Sequence, residues 1–182
     1  MDTTLIRNKK HKGFSLLELL LVLGIIAALI VSAFIIYPKV MSHVRINNEL
    51  KNISTVLHGV KTLYQGKSDF SGLTSNVIID AKIAPDNMLQ KNYTTLKNAW
   101  GGNFAIGVSG STVYNGVVIT TSGIPPEDCL RLTNELYRYY KDNLVKFSVN
   151  YINFNSSNVD SINIPEICRK NKTTIIVLSV NL

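Results

Sequence analysis

The stretch KGFSLLELLLVLGIIAALIVSAFII, from Lys12 to Ile36, decides the architecture of this chain. Its last 18 positions, Leu19 to Ile36, carry no charge, and only Gly24 and Ser32 among them are neither strongly apolar nor Ala. A helix of about 20 apolar residues crosses a hydrocarbon core of about 30 Å, so the run has the length of a membrane span. Ahead of it stand Arg7, Lys9, Lys10, His11 and Lys12. The basic side is expected to stay cytoplasmic by the positive-inside rule. A secretory signal has a shorter apolar core, about 7–15 residues, with a small-x-small cleavage site behind it. Here Tyr37-Pro38-Lys39 follows instead, so an ordinary signal peptide does not fit.

The totals conceal this segment. The chain has 182 residues, 46% hydrophobic and 17% charged, with 19 Lys+Arg against 12 Asp+Glu. That apolar content supports a core and excludes a disordered chain. Eleven Gly and five Pro exclude a collagen-like repeat, and two Cys exclude a disulfide-dense scaffold. Residues 1–13 hold four Lys/Arg and one Asp, so three of the seven net positive charges sit in the leader. Net charge alone is therefore a weak argument for nucleic acid.

Glu18 does not suit a plain anchor. A lone acid in a bilayer-buried helix costs about 2.5–3.5 kcal/mol, reduced near the membrane edge by snorkelling or protonation. No Lys or Arg lies between Gly13 and Lys39, so a nearby side chain cannot neutralise it. Two readings stand: a tolerated interfacial carboxylate, or one with a cationic partner such as a newly freed α-amino group.

These residues carry a resemblance. Lys12-Gly13-Phe14-Ser15-Leu16-Leu17-Glu18-Leu19-Leu20 is similar to the processing site of type IV prepilins. The resemblance implies that a prepilin peptidase cuts between Gly13 and Phe14 on the cytoplasmic side and methylates Phe14. It implies that Glu18 serves assembly by meeting the N-terminal amine of a neighbouring subunit. Residues 1–13 are then a discarded leader, residues 14–41 a hydrophobic transmembrane and assembly half-helix, and residues 42–182 a globular head. The partners implied are further copies of the chain in a helical filament, the prepilin peptidase, the inner-membrane assembly machinery, the inner membrane before assembly, and a host-surface or recipient-cell ligand. The precursor would sit in the inner membrane with its head periplasmic, and the product would be an extracellular pilus.

Beyond Ile36 the helical pattern continues. Val40, Val44, Ile46, Leu50, Ile53, Leu57, Val60 and Tyr64 recur at spacings of three or four, with Lys51, Asn52 and Lys61 between them. Gly66 supplies a stop. A helix from Phe14 to Gln65 would be about 75 Å long. Its first half is apolar all round and should protrude; its second half should pack one stripe on the head. Pro38 removes a backbone donor, and Gly24 is a second weak point. The stretch between them would either melt during assembly or simply kink.

The rest reads as an α+β head with a small antiparallel sheet. Lys67 to Gly102 is an irregular connector with a helical turn near Ile83 to Met88. Phe104–Val108, Val113–Thr121, Lys146–Phe154 and Thr173–Val180 have strand composition, and Gly110-Ser111 would turn the first pair. Pro125-Pro126-Glu127-Asp128 opens a second helix, whose inner stripe is expected at Leu130, Thr133, Tyr137, Tyr140 and Leu144. Asn153 to Asn163 reads as a surface loop. In an exported head Cys129 and Cys168 should pair, the alternative being two buried free thiols.

The head also resembles type IVb pilins in Leu63-Tyr64-Gln65-Gly66-Lys67, Phe70-Ser71-Gly72-Leu73, Ile83-Ala84-Pro85-Asp86 and Trp100-Gly101-Gly102. These are the pilins of bundle-forming, toxin-coregulated and thin conjugative pili. Phe14 departs from that branch and is more usual in type IVa. The resemblance implies a structural major subunit of a pilus for adhesion, autoaggregation or DNA transfer. A minor or tip adhesin and a type II secretion pseudopilin are the alternatives; the Cys pair and the lack of an acidic Ca²⁺ loop argue against the latter.

Other features stay bland. Arg131, Tyr137, Arg138, Tyr139, Tyr140 and Lys141 mix bases and aromatics, which can suit single-stranded nucleic acid, but a helix with a solvated charged face explains them as well. His43 and His58 lack partner ligands for a metal. No nucleophile–base pair, phosphate loop or carboxylate pair is placed, so neither enzyme nor cofactor is expected.

Overall fold

The computed structural model describes residues 15–90, 94–109, 116–154, 163–170 and 174–182. The chain divides into two units, Met1–Met41 and Ser42–Leu182. One helix, α1 (Leu16–Leu63), contributes to both. It is helical through Gly24 and Pro38. Gly66, at φ +84°, follows its C-terminal end. There the backbone needs a left-handed residue, which glycine supplies without strain.

In the first unit every described residue from Ser15 to Val40 is exposed. The hydroxyl in the middle of this run is satisfied within the helix: Ser32 Oγ donates to the Ala28 carbonyl at 2.8 Å. That local bond lets a Ser sit in an apolar helix without an orphan donor.

The second unit is built on a six-stranded antiparallel sheet. Its strands are β1 (Leu96–Lys97), β2 (Asn103–Ser109), β3 (Gly116–Ile124), β4 (Leu144–Val149), β5 (Ile152–Phe154) and β6 (Thr174–Asn181). They lie in the order β1-β2-β3-β6-β4-β5, so the last strand in the chain is central. Period-two alternation puts Phe104 and Ile106, Val117 and Ile119, Phe147 and Val149, and Ile176, Leu178 and Val180 into the core. Against them α1 buries Ile46, Ile53, Val56, Leu57 and Val60. Among the described residues the unit also has the helices α2 (Ser75–Asp80), α3 (Pro126–Tyr140) and α4 (Ile164–Lys170). A 3₁₀ turn at Asp86–Met88 falls in the expected connector.

Several expectations are corrected. Val40 and Val44 are 51% and 44% exposed, and the α1 stripe begins at Ile46. Asn52, placed by sequence among the polar positions, is buried and accepts from Asn87 Nδ2 at 3.2 Å. The segment Lys146–Phe154 is not one strand but the β4–β5 hairpin. It turns at Asn150 and Tyr151, with φ of 49° and 68°. Asn tolerates that conformation, and its side chain pins the turn. Asn150 Oδ1 accepts from Ile175 N at 2.9 Å, and Nδ2 donates to the Ile167 carbonyl at 3.2 Å. The buried face of α3 is Asp128, Cys129, Leu132, Thr133 and Leu136. Leu130, Tyr137 and Tyr140 are only partly buried, and Leu144 belongs to β4. Helix α4 was not expected at all. The Gly110-Ser111 turn and most of the Asn153–Asn163 loop lie outside the described residues.

The approach of β3 to the segment before β2 depends on Gly102 and on Gly123 facing it. A Cβ on Gly102 would lie 1.9 Å from the Ser122 carbonyl oxygen, a backbone atom. Gly102→Ala is therefore expected to lower stability by about 2–3 kcal/mol through forced backbone movement. Thermal melting of the detergent-solubilised chain measures this; an unchanged midpoint would contradict it.

Candidate assembly site

The sequence-predicted residues of α1 occupy plain positions. Gly13 and Phe14 lie outside the described residues. Glu18 is exposed in the first turn of α1, where the unsatisfied N–H groups of a helix favour a carboxylate. Gly24 is exposed, and a Cβ there would meet nothing within 4 Å. Packing within the chain therefore does not require its small size, while a glycine inside a helix costs about 1 kcal/mol against Ala. Pro38 is exposed in the same helix. It deprives the Phe34 carbonyl of its usual donor.

The head holds its share of α1 through a buried polar network that the sequence did not announce. Glu49 is fully buried. Its carboxylate accepts from Ala99 N at 2.9 Å and from Thr121 Oγ1 at 3.3 Å. Thr121 in turn accepts from Asn98 Nδ2 at 2.8 Å. Asn98 also organises the turn that follows it: Oδ1 accepts from Trp100 N at 3.1 Å and from Gly102 N at 2.8 Å. The Trp100 indole donates from Nε1 to Asp128 Oδ2 at 2.6 Å, and Asp128 Oδ1 accepts from Ser42 Oγ. Arg131 pairs with His43 beside it. Ser42, His43 and Glu49 on α1 are thus tied to the Asn98–Gly102 turn and to the start of α3. Buried carboxylates satisfied this way fix one register of packing, because shifting the helix would orphan several partners at once.

Burial pushes the Glu49 carboxyl up to about 7, against the smaller opposing effect of its Ala99 and Thr121 hydrogen bonds. The folded state therefore holds a proton between pH 4.5 and about 7 that the unfolded chain has released. Stability from this group is full below pH 4.5, falls as pH rises through that window and is flat above it. The loss is about 3 kcal/mol. Glu49→Gln is expected to flatten this acid-side dependence and to raise the melting midpoint at pH 8. Melting curves from pH 4 to 8 that keep the wild-type slope in the variant would exclude Glu49 as its source.

Cys129, in the first turns of α3, is joined to Cys168 of α4, with Cα atoms 5.7 Å apart. Both are buried.

Three comparisons bear on this arrangement. A family model described as PilS N terminal matches residues 43–181, and one described as the prokaryotic N-terminal methylation motif matches residues 8–34. Two Escherichia coli proteins, each a major structural subunit of bundle-forming pilus, are 25% identical over 128 residues. The match covers 70% of this chain and 66% of each relative, just under two thirds of their length. A crystal structure of a type IVb pilin from Salmonella typhi superposes with a TM-score of 0.55 at 23% identity. It covers 75% of this chain and 99% of the pilin.

Proposed function

Because this chain belongs to the PilS N-terminal family and carries the prokaryotic N-terminal methylation motif, we propose that it is the major structural subunit of a type IVb pilus. The observation that carries this reading is the first unit. Leu19 to Ile36 expose an unbroken apolar helix that no water-facing role explains. Such a surface has to pass from lipid into contact with other apolar helices, since exposing it to water costs about 25 cal/mol per Å². A helical array of identical chains provides those contacts through one repeated heterologous interface.

In this reading a prepilin peptidase removes residues 1–13 between Gly13 and Phe14 and methylates Phe14. Residues 14–41 hold the mature chain in the inner membrane with residues 42–182 in the periplasm. The assembly machinery then draws it into an extracellular filament. Glu18 meets the Phe14 amine of a neighbour. The α1 segment between Gly24 and Pro38 opens as subunits pack; the low helix propensity of Gly24 and the donor missing at Pro38 are what weaken the helix there. Phe14 is unusual for the type IVb branch, but the head carries the branch assignment. Adhesion, autoaggregation or DNA transfer is the filament's task.

Shearing surface filaments from cells tests this. The chain should dominate the sheared fraction, with a mature N-terminus at methylated Phe14 by mass spectrometry. A trace amount in abundant filaments would sink the major-subunit reading.

A further inference from the structure

The β4–β5 hairpin holds an aromatic ring out from the head. Val149 pairs with Ile152, so Asn150 and Tyr151 form a two-residue loop in which both φ values are positive. Loops of that kind favour Asn followed by Gly, because a Cβ is crowded in the left-handed region. Tyr151 stands where glycine would sit without strain. Packing inside the head does not explain it: the side chain is 81% exposed, and no large apolar side chain described in the second unit is more so. Asn150 pins the loop through Ile175 and Ile167, so the ring stands on a fixed stem. A bulky side chain kept at positive φ without contacts of its own points to a use outside its own fold.

At the other end of the same strands lies a concavity of about 180 Å³. The buried Leu57 and Val180 line it together with Leu182, and Tyr139 and Tyr140 add two rings. Ser54, His58 and Asn143 also line it, and each can both donate and accept a hydrogen bond. A cavity of about 150 Å³ is enough for a benzene ring. The lining therefore matches a phenol, an apolar ring bearing one hydroxyl that donates and accepts. The loop adjoins Ile176 and the cavity adjoins Val180, four residues along β6 or about 13 Å. Tyr151 thus cannot fill the cavity of its own chain.

We propose that Tyr151 of one copy inserts into the cavity between α1 and α3 of the next copy in the filament. A foreign partner would need only the ring or only the cavity; this head carries both, at opposite ends of one sheet. Two copies joined this way leave one ring and one cavity free, so the contact is heterologous and repeats without closing. Ser54, Leu57 and His58 lie on α1, the helix whose apolar run makes the filament contacts in the reading above, and the cavity extends that interface along the same helix. The inference rests on that reading and adds a contact between heads to it.

The test places the photoreactive residue p-benzoylphenylalanine at position 151 of the full chain in cells, then irradiates sheared filaments. Multimers of the chain should form, with position 151 joined to peptides carrying Ser54–Lys61 or Tyr139–Asn143. The reciprocal placement at position 61 should join to the peptide carrying Tyr151. Tyr151→Gly should not lower the melting midpoint of the unassembled chain in detergent, because glycine suits the loop, yet should cut filament yield at least tenfold. Tyr151→Phe should restore most of the yield. Filaments of this chain without crosslinks from either position would overturn the contact and leave the pilus reading standing, as would crosslinks to other surfaces or other proteins. Wild-type yield with Tyr151→Gly, or a lowered midpoint in that variant, would also overturn it. Sheared filaments that lack this chain in wild-type cells would overturn both readings.

Discussion

Glu18→Ala is expected to leave processing at Gly13-Phe14 intact and to abolish sheared filaments. The substitution lies five positions beyond Gly13, so the scissile bond and its basic leader are unchanged. What changes is the balance between lipid and filament. In the membrane the wild-type carboxylate carries a cost of about 2.5–3.5 kcal/mol, which pairing with a neighbour's Phe14 amine would relieve. Alanine removes both the cost and its relief, so the monomer loses that incentive to leave lipid. About 3 kcal/mol is roughly a hundredfold in each addition equilibrium, repeated at every subunit. Glu18→Gln should behave like Ala, because its amide cannot form the ion pair. Membrane fractions should contain mature chain with a methylated Phe14 while the sheared fraction is empty. Normal filaments from either variant would rule out the pairing; precursor that remains uncleaved would show that Glu18 acts earlier, in recognition by the peptidase.

How much of this was legible depends on where each residue's partners lie. The apolar run of α1 was plain because its environment is uniform and its signal local. The strands β2, β3 and β6 were visible in their β-branched content. Glu49 and Asn52 were not. Their partners, Ala99 N, Thr121 and Asn87, lie 50, 72 and 35 positions away, and a polar letter in a helix reads as solvent-facing when the satisfying groups are so remote. The phase of α3 was misjudged because its tyrosines drew the stripe toward them. The true inner face includes Asp128, a charged residue buried only because Trp100 and Ser42 come to meet it. Helix α4 did leave a local signal. Asn163 Oδ1 accepts from Glu166 N at 3.2 Å, with Pro165 in the first turn, which is the start pattern of a capped helix. The central place of β6 had no local signature; strand order is set by pairings that a single chain read linearly does not display.

That central strand decides the size of the second effect. Loss of the Cys129–Cys168 bridge, by Cys129→Ser, Cys168→Ser or both, is expected to destabilise the head by about 4 kcal/mol in the chain-entropy account, given the separation of 39 residues. Typical domains have only about 5–15 kcal/mol in total. The closed loop contains most of α3, all of β4 and β5 and most of α4, and its far end stands six positions before β6 begins. With the bridge broken, β6 must find its slot between β3 and β4 without a tether. Those flanking pairings, Ile119↔Leu178 and Phe147↔Leu178 among them, hold the sheet together. The variants should therefore show rapid proteolysis of the head, less accumulated chain and few filaments. The double variant should be no worse than either single one, because it leaves no orphan thiol. Protease half-life and filament yield, measured on cells grown identically, decide the matter. Wild-type values for all three variants would mean that β6 is held by its neighbours alone and that the bridge adds no stability to the head.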